Sequence, residues 1–196
     1  ETYQHASKIL NSNVKLLTIG GDHTIPYGLV RAASEKYGKL AIIHLDSHQD
    51  SLPTNSKDEI FHGTFAHDIA KEGYVDPSKS AQVFIRTNMP NENNYNIIYA
   101  NEALELSPEN LAEKIKSIVG DMPVYITLDI DSLDPSVAPG TGTPVIGGPN
   151  TYFMRKFLQS LEGINVVAAD LVEVSPAYDH SEVTSLAAAT LAGDLI

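Results

Sequence analysis

Leu40-Ala41-Ile42-Ile43-His44-Leu45-Asp46-Ser47-His48-Gln49-Asp50 runs from an almost unbroken apolar stretch directly into carboxylates and imidazoles. A continuous apolar run, as opposed to a strict alternation, marks a strand covered on both faces. In an open parallel sheet, ligands bind just outside the carboxyl ends of such strands. The same grammar recurs along the chain. Val14–Ile19 reads as a buried strand leading into Gly20-Gly21-Asp22-His23, and Val124–Ile130 as a strand ending in Asp129-Ile130-Asp131. Asn165–Asp170 reads as a strand followed by Glu173, while Gln82–Ile85 and a short Ile97–Ala100 carry no such cluster.

Between the strands lie helical patterns: Tyr27–Tyr37 with Gly38 past its end, Ser107 capping a helix through Val119 with Pro108 in its first turn, Asn150 or Thr151 to about Leu161, and an Ala-rich stretch from Ser181 onward. Strands alternating with helices predict an α/β domain around a mostly parallel sheet. Ser51–Glu59 and the Asn-rich Asn88–Asn96 read as long loops, the second as mobile. Pro139-Gly140-Thr141-Gly142-Thr143-Pro144 lacks the lysine and the spacing of a phosphate cradle and reads as a rigid turn framing the cleft.

The chain has 196 residues and a formal net charge of −12, with 25 Asp+Glu against 13 Lys+Arg. It lacks the basic footprint that nucleic acid requires, and it suits a cationic ligand or bound cations, though many acidic proteins bind neither. The absence of cysteine excludes disulfides, thiolate zinc and a Cys nucleophile. No apolar run nears the roughly 20 residues that span a bilayer, and no signal peptide is visible. No membrane partner and a cytoplasmic location are expected. The chain opens on Glu1 and closes on apolar Leu195-Ile196, and both ends read as cut from something longer.

Asp46, His48 and Asp50 are spaced two apart, as are Asp129 and Asp131. On an extended segment that spacing places side chains on one side. A single Asp after a strand is more often a helix cap, but caps do not explain a set delivered by several strand ends. Buried anions cost several kcal/mol each unless paired or ligating, and few Lys or Arg lie nearby in sequence. Divalent cations are the expected partners, two of them given the number of ligands, in a mixed His/Asp set that suits manganese better than structural zinc. His44 reads as a satisfied core histidine. His5, His67 and His180 have no motif around them. His62, in Phe61-His62-Gly63-Thr64, sits where its loop can fold it over the site as a proton shuttle.

Gly20-Gly21-Asp22-His23, Asp46-Ser47-His48-Gln49-Asp50 and Leu128-Asp129-Ile130-Asp131-Ser132-Leu133-Asp134-Pro135 resemble, in order, the three signature segments of the ureohydrolases, the arginase and agmatinase family. The resemblance runs from about Val14 to the end. It implies a three-layer α-β-α sandwich, a single catalytic domain over 1–196, and two Mn2+ ions. One ion would be held by His23, Asp46, Asp50 and Asp129, the other by His48, Asp46, Asp129 and Asp131, with Asp46 and Asp129 bridging. His62 matches the family's proton-shuttle histidine and Glu173 the carboxylate that holds the substrate guanidinium.

The segments His62-Gly63-Thr64-Phe65, Glu72–Pro77, Pro139–Gly148 and Ser175-Pro176-Ala177-Tyr178-Asp179 look like the agmatinase branch. Ser51-Leu52-Pro53 does not supply the Asn with which arginases bind an α-carboxylate. The implied reaction is agmatine plus water to putrescine plus urea. Guanidinobutyrase, proclavaminate amidinohydrolase, arginase and a non-catalytic family member are the alternatives. Trimers or hexamers are implied as the assembly. The family usually has Ala where Ser47 stands, and Thr is common at Gln49. By alternation both side chains are expected to point away from the metals. Family members are longer, and the resemblance implies that a strand and helices preceding the first motif are missing.

Overall fold

The structure is a computed structural model that describes residues 1–54 and 60–195. Six strands form one sheet: β1 (Leu16–Ile19), β2 (Ala41–Leu45), β3 (Ala81–Ile85), β4 (Asn96–Tyr99), β5 (Val124–Asp129) and β6 (Val166–Val172). Their order is β1-β6-β5-β2-β3-β4, and every pairing is parallel. Helices α1 (Thr2–Leu10), α2 (Ile25–Tyr37) and α3 (Phe65–Lys71) cover one face. Helices α4 (Ala100–Glu105), α5 (Pro108–Val119), α6 (Thr151–Ser160) and α7 (Val183–Asp194) cover the other. The result is the expected α-β-α sandwich.

Residues in β2 divide by parity, as a pleated strand requires. Ile42 packs with Leu10, Leu29 and Ile69 on the first face, and Ile43 and Leu45 pack with Ile115 and Phe157 on the second. The unbroken apolar run therefore serves two cores. The two predicted caps are in place: the Ser107 side chain accepts the Asn110 N–H, and Asn150, not Thr151, accepts the Phe153 N–H.

Three helices escaped the sequence reading. The short α3 shows why. Its Phe65, Ala66 and Ile69 are buried because they pack beneath the strand ends, a tertiary contact that supplies most helical stability and leaves little periodicity in a segment of 7 residues. The Asn-rich loop, expected to be mobile, is anchored to α3 at two points. Tyr95 is buried and donates its hydroxyl to the Ala66 carbonyl at 2.8 Å, and Asn93 Oδ1 lies 2.9 Å from His67 Nδ1. The expected Ser51–Glu59 loop is irregular over Ser51–Thr54; its remainder, 55–59, lies outside the described residues.

Four strands matter for function, β1, β6, β5 and β2, and they are consecutive in the sheet. Gly20 and Gly21 leave β1 at φ 91° and 82°, values that glycine alone takes without strain, and so turn the chain sharply toward the next strand end. On the far side, Asp134 accepts the backbone N–H groups of Ser136, Gly147 and Gly148. A hydrogen bond from the Ser136 side chain foremost, with these backbone donors behind it, pulls its carboxyl down to about 2.

Gly148 sits where a Cβ would lie 2.6 Å from Ser132 O and 2.8 Å from Asp134 N. Gly148→Ala is therefore expected to destabilise the fold by about 1–3 kcal/mol. The measurement is the shift in denaturant midpoint, and an unchanged midpoint would refute the close approach.

Candidate metal centre

His23 lies in the turn between β1 and α2, Asp46–Asp50 follow β2, Asp129 ends β5, and Asp131 sits in a short 3-10 turn, Ile130–Ser132. The His23 ring is buried, and its Nδ1 has Asp46 Oδ2 at 3.0 Å, Asp50 Oδ2 at 3.0 Å and Asp129 Oδ2 at 3.3 Å. A second group stands beside it: His48 Nδ1 is 3.3 Å from Asp46 Oδ1 and 3.1 Å from Asp131 Oδ2. Asp46 thus offers one oxygen to each group. Asp129 turns Oδ2 to His23, while its Oδ1 accepts the Asp131 N–H at 2.7 Å.

The i, i+2 spacing works differently from expectation. Residues 46–50 are not extended. The His48 N–H folds back onto Asp46 Oδ1 at 2.6 Å, as the Asp131 N–H does onto Asp129. Both are local side-chain-to-backbone turns, and Asp50 sits at φ 46°. This corrects the alternation argument for Ser47. Its hydroxyl points toward the ligands, donating to Asp131 Oδ1 at 2.7 Å and lying 3.0 Å from His48 Nδ1. Gln49 does point away, donating to the Met89 carbonyl.

Beneath the ligands runs a polar row, one residue per strand, in hydrogen-bonding register: Thr18, Asp170, Thr127, His44 and Gln82. His44 is fully buried, as expected, but it does more than satisfy itself. Gln82 Nε2 lies 3.0 Å from His44 Nδ1, leaving His44 Nε2 to donate to Asp46 Oδ2 at 2.7 Å. His23 Nε2 is 2.8 Å from Thr127 Oγ1, whose hydroxyl donates to Asp170 Oδ1 at 2.8 Å. Asp170 also accepts from Tyr125. This chain ties the Nε2 proton to Thr127 and turns Nδ1 to the carboxylates, the usual role of a hydrogen bond behind a metal-binding imidazole. The parity signal was present, since His44 and Thr127 stand two residues before Asp46 and Asp129. Phe65, which no motif flagged, packs its ring 4.4 Å from that of His23 and 5.2 Å from that of His44.

Electrostatics point the same way. Burial and the nearby Asp46 and Asp131 push the Asp129 carboxyl well above its usual range, and burial and Asp46 raise that of Asp131. Burial would lower the His23 pKa, but Asp129, Asp46 and Asp50 outweigh it and hold it well above the ordinary imidazole value. His48, pulled down by burial, is carried up to about 10 by Asp131 and Asp46. The cluster is short of positive charge. His23 Nδ1, buried and ringed by carboxylates, has no hydrogen-bond partner of acceptable geometry. A cation fits that atom. Among the described residues, two groups have the geometry to hold one: His23, His44, Asp46, Asp50 and Asp46, His48, Asp131, with His44 Nε2 already engaged by Asp46.

Glu173 follows β6 at φ 66° and is half-buried. Its Oε1 accepts the His23 N–H at 2.8 Å, and its own N–H donates to Gly21 O at 3.0 Å. Burial raises its pKa, against the pull of the His23 N–H and of the His23 and His62 charges. His62 is exposed at the rim, its ring 5.4 Å from that of Phe61.

The Arginase family model matches residues 1–196. The chain belongs to the arginase family. Among curated arginase-family relatives, an agmatinase of Photorhabdus laumondii is 46% identical over 192 residues, covering 98% of this chain and 62% of the relative. The crystal structure of a hypothetical agmatinase from Burkholderia thailandensis superposes with a TM-score of 0.96 at 45% identity, covering 99% of this chain and 62% of that one. Proclavaminate amidino hydrolase from Streptomyces clavuligerus follows at 0.94 and 36% identity, with 99% and 66% covered. The chain thus spans less than two thirds of the length of these arginase-family proteins. Among the described residues no helix is long and apolar enough to cross a membrane.

Because His48 titrates near 10 and His23 is raised as well, both imidazoles hold protons at neutral pH that a cation must displace. Divalent-cation affinity is expected to rise between about pH 6 and pH 8, by roughly tenfold per pH unit for each proton displaced. Calorimetry in buffers of different ionisation enthalpy measures the released protons, and pH-independent binding would contradict this placement of His23 and His48.

Proposed function

We propose that the chain carries the binuclear manganese site of a ureohydrolase and hydrolyses agmatine to putrescine and urea. The observation that carries the reading is the paired arrangement around Asp46: one imidazole nitrogen, His23 Nδ1, orphaned among three carboxylate oxygens, and a second, His48 Nδ1, reaching the other Asp46 oxygen. Asp46, Asp50, Asp129 and Asp131 together bring four negative charges when ionised, which two divalent cations match. One ion would be held by His23, Asp46, Asp50 and Asp129, the other by His48, Asp46, Asp129 and Asp131, with oxygen-rich mixed ligands that suit manganese. Two such ions lower the pKa of water and supply a nucleophile near neutral pH.

The remaining roles fall to the chain itself. Glu173 is the guanidinium holder. With Oε1 tied to the His23 N–H, its carboxylate plane is set, and it binds the planar cation through charge-assisted N–H bonds. A guanidinium held there would lie beside the strand ends carrying the carboxylates. His62, exposed on the rim, delivers a proton to the departing amine and recovers it from solvent. The rim beside it is apolar. Leu52 and Phe61 are 42% and 43% exposed, and both converge on Gly63, whose hypothetical Cβ would touch them at 3.4 and 3.1 Å. A surface of that kind suits a tail without a carboxylate. The relative named agmatinase at 46% identity supports the same choice, as does the net charge of −12 for a cationic substrate. Homo-oligomers, trimers or hexamers, belong to this proposal.

The test is urea release with Mn2+ from agmatine, arginine and 4-guanidinobutyrate; release from arginine but not agmatine would sink the assignment of substrate. Asp129→Ala is expected to lower manganese content, checked by metal analysis. His62→Ala is expected to keep its manganese and to slow turnover about 100-fold, the lower end for a general acid–base group. Glu173→Gln is expected to raise KM with the manganese in place.

A further inference from the structure

We propose that Ser47 and Arg86 are positioning residues that clamp Asp131 for the cation held with Asp46 and His48, leaving the cation at His23 untouched; the inference rests on the two-cation reading above. Asp131 stands in a single turn of 3-10 helix beyond β5, and little in that turn itself orients its carboxylate. Ser47 does so from the neighbouring segment. Its hydroxyl donates to Asp131 Oδ1 at 2.7 Å and its backbone N–H donates to the same oxygen at 3.1 Å. With Oδ1 taken, Oδ2 is the oxygen that faces His48 Nδ1 at 3.1 Å.

Arg86 holds the two segments together from behind. Its backbone N–H donates to the Ser47 carbonyl at 3.0 Å, and Thr87 donates to the same carbonyl through its N–H and its hydroxyl. The Arg86 guanidinium reaches the other segment, donating to the carbonyls of Asp131 at 2.7 Å, Ser132 at 3.1 Å and Leu133 at 3.0 Å, and also to Phe84 and Val145. These bonds all go to carbonyls, so this cation orders the backbone and does not pair with the carboxylates beside it. Only a planar fork of N–H donors can meet so many acceptors at once. The chain bends to put it there. β3 shifts register between Val83 and Ile85, and Phe84 sits at φ 70° with its ring packed edge-on against Phe153 and Phe157. A bulky residue in that region persists only where its surroundings enforce it, and such outliers gather at functional sites.

The His23 group is held by other means, through Thr127 and Asp170. The clamp therefore acts on one cation of two, and that asymmetry is measurable without turnover. The full chain, freed of metal, is titrated with Mn2+ alone, following uptake by calorimetry and the exchange-coupled pair by electron paramagnetic resonance. The unaltered chain is expected to take up two ions. Ser47→Ala removes one hydroxyl and adds no bulk; it is expected to weaken one step about 10-fold, the low end for a group behind a metal ligand. The other step stays unchanged, and the coupled signal moves to higher manganese. Arg86→Lys, keeping the charge but not the fork, is expected to weaken the same step. If it does not fold, Ser47→Ala decides alone. Two unchanged steps in Ser47→Ala, or two steps weakened equally, would overturn the clamp. An unaltered chain that binds fewer than two ions would overturn the two-cation reading, and this inference with it.

Discussion

Four aspartates and His23 are taken out of water together at the carboxyl edge of one sheet, with the partly exposed His48 beside them, and the architecture around them is organised by that desolvation. Asp46 and Asp131 are almost wholly buried, and Asp129 and Asp50 are nearly so. An unpaired buried carboxylate costs several kcal/mol, so such a cluster persists only if something positive occupies it. In the protein alone, protons fill that role, which is why His23 and His48 hold theirs so strongly. The same imbalance is the chemistry that divalent cations suit, with Asp46 shared between the two halves of the cluster.

Parallel strands are what make the convergence possible. Every carboxyl end of a parallel sheet opens on the same edge, and the strand order makes neighbours of β1, β6, β5 and β2, whose ends carry His23, Glu173, Asp129 and Asp46. The layer just below is polar as well, and its central members are engaged. His44 braces Asp46, and Asp170 braces Thr127, which braces His23. A polar row through the middle of a sheet would be costly if half satisfied. Here it converts flexible side chains into fixed ones. Three non-glycine residues in this region, Asp50, Phe84 and Glu173, have positive φ. Each re-aims a side chain at or next to the cluster.

Arg86 illustrates how the charge economy of the site differs from a count of ion pairs. It is the sort of residue expected to neutralise buried carboxylates. Instead its donors go to backbone carbonyls around Asp131, so its contribution is order with some long-range positive potential. The rim is different again. Leu52 and Phe61 present apolar surface beside exposed His62, in contrast to the charged cluster below.

The sandwich and the gathering of these carboxylates and imidazoles at one sheet edge were legible in the sequence because both rest on local grammar. Apolar runs such as Leu40–Leu45 must be covered on two faces, and carboxylates directly after them must lie at the strand ends. What the tertiary structure decided is how those groups face one another. Ser47 was expected to point away by alternation, yet the chain turns at Asp46 through a side-chain-to-backbone bond, and a turn obeys no period of two. Arg86 lies some forty residues from the ligands it organises, and no local pattern signals a bulge at Phe84 or its consequence. Helix α3 exists because Phe65 packs against His23 and His44, a contact that only the folded chain provides. Sequence determines which residues reach the edge of the sheet, since burial and periodicity are near-neighbour effects. Orientation depends on hydrogen bonds between segments distant in the chain, and only their meeting in space settles it.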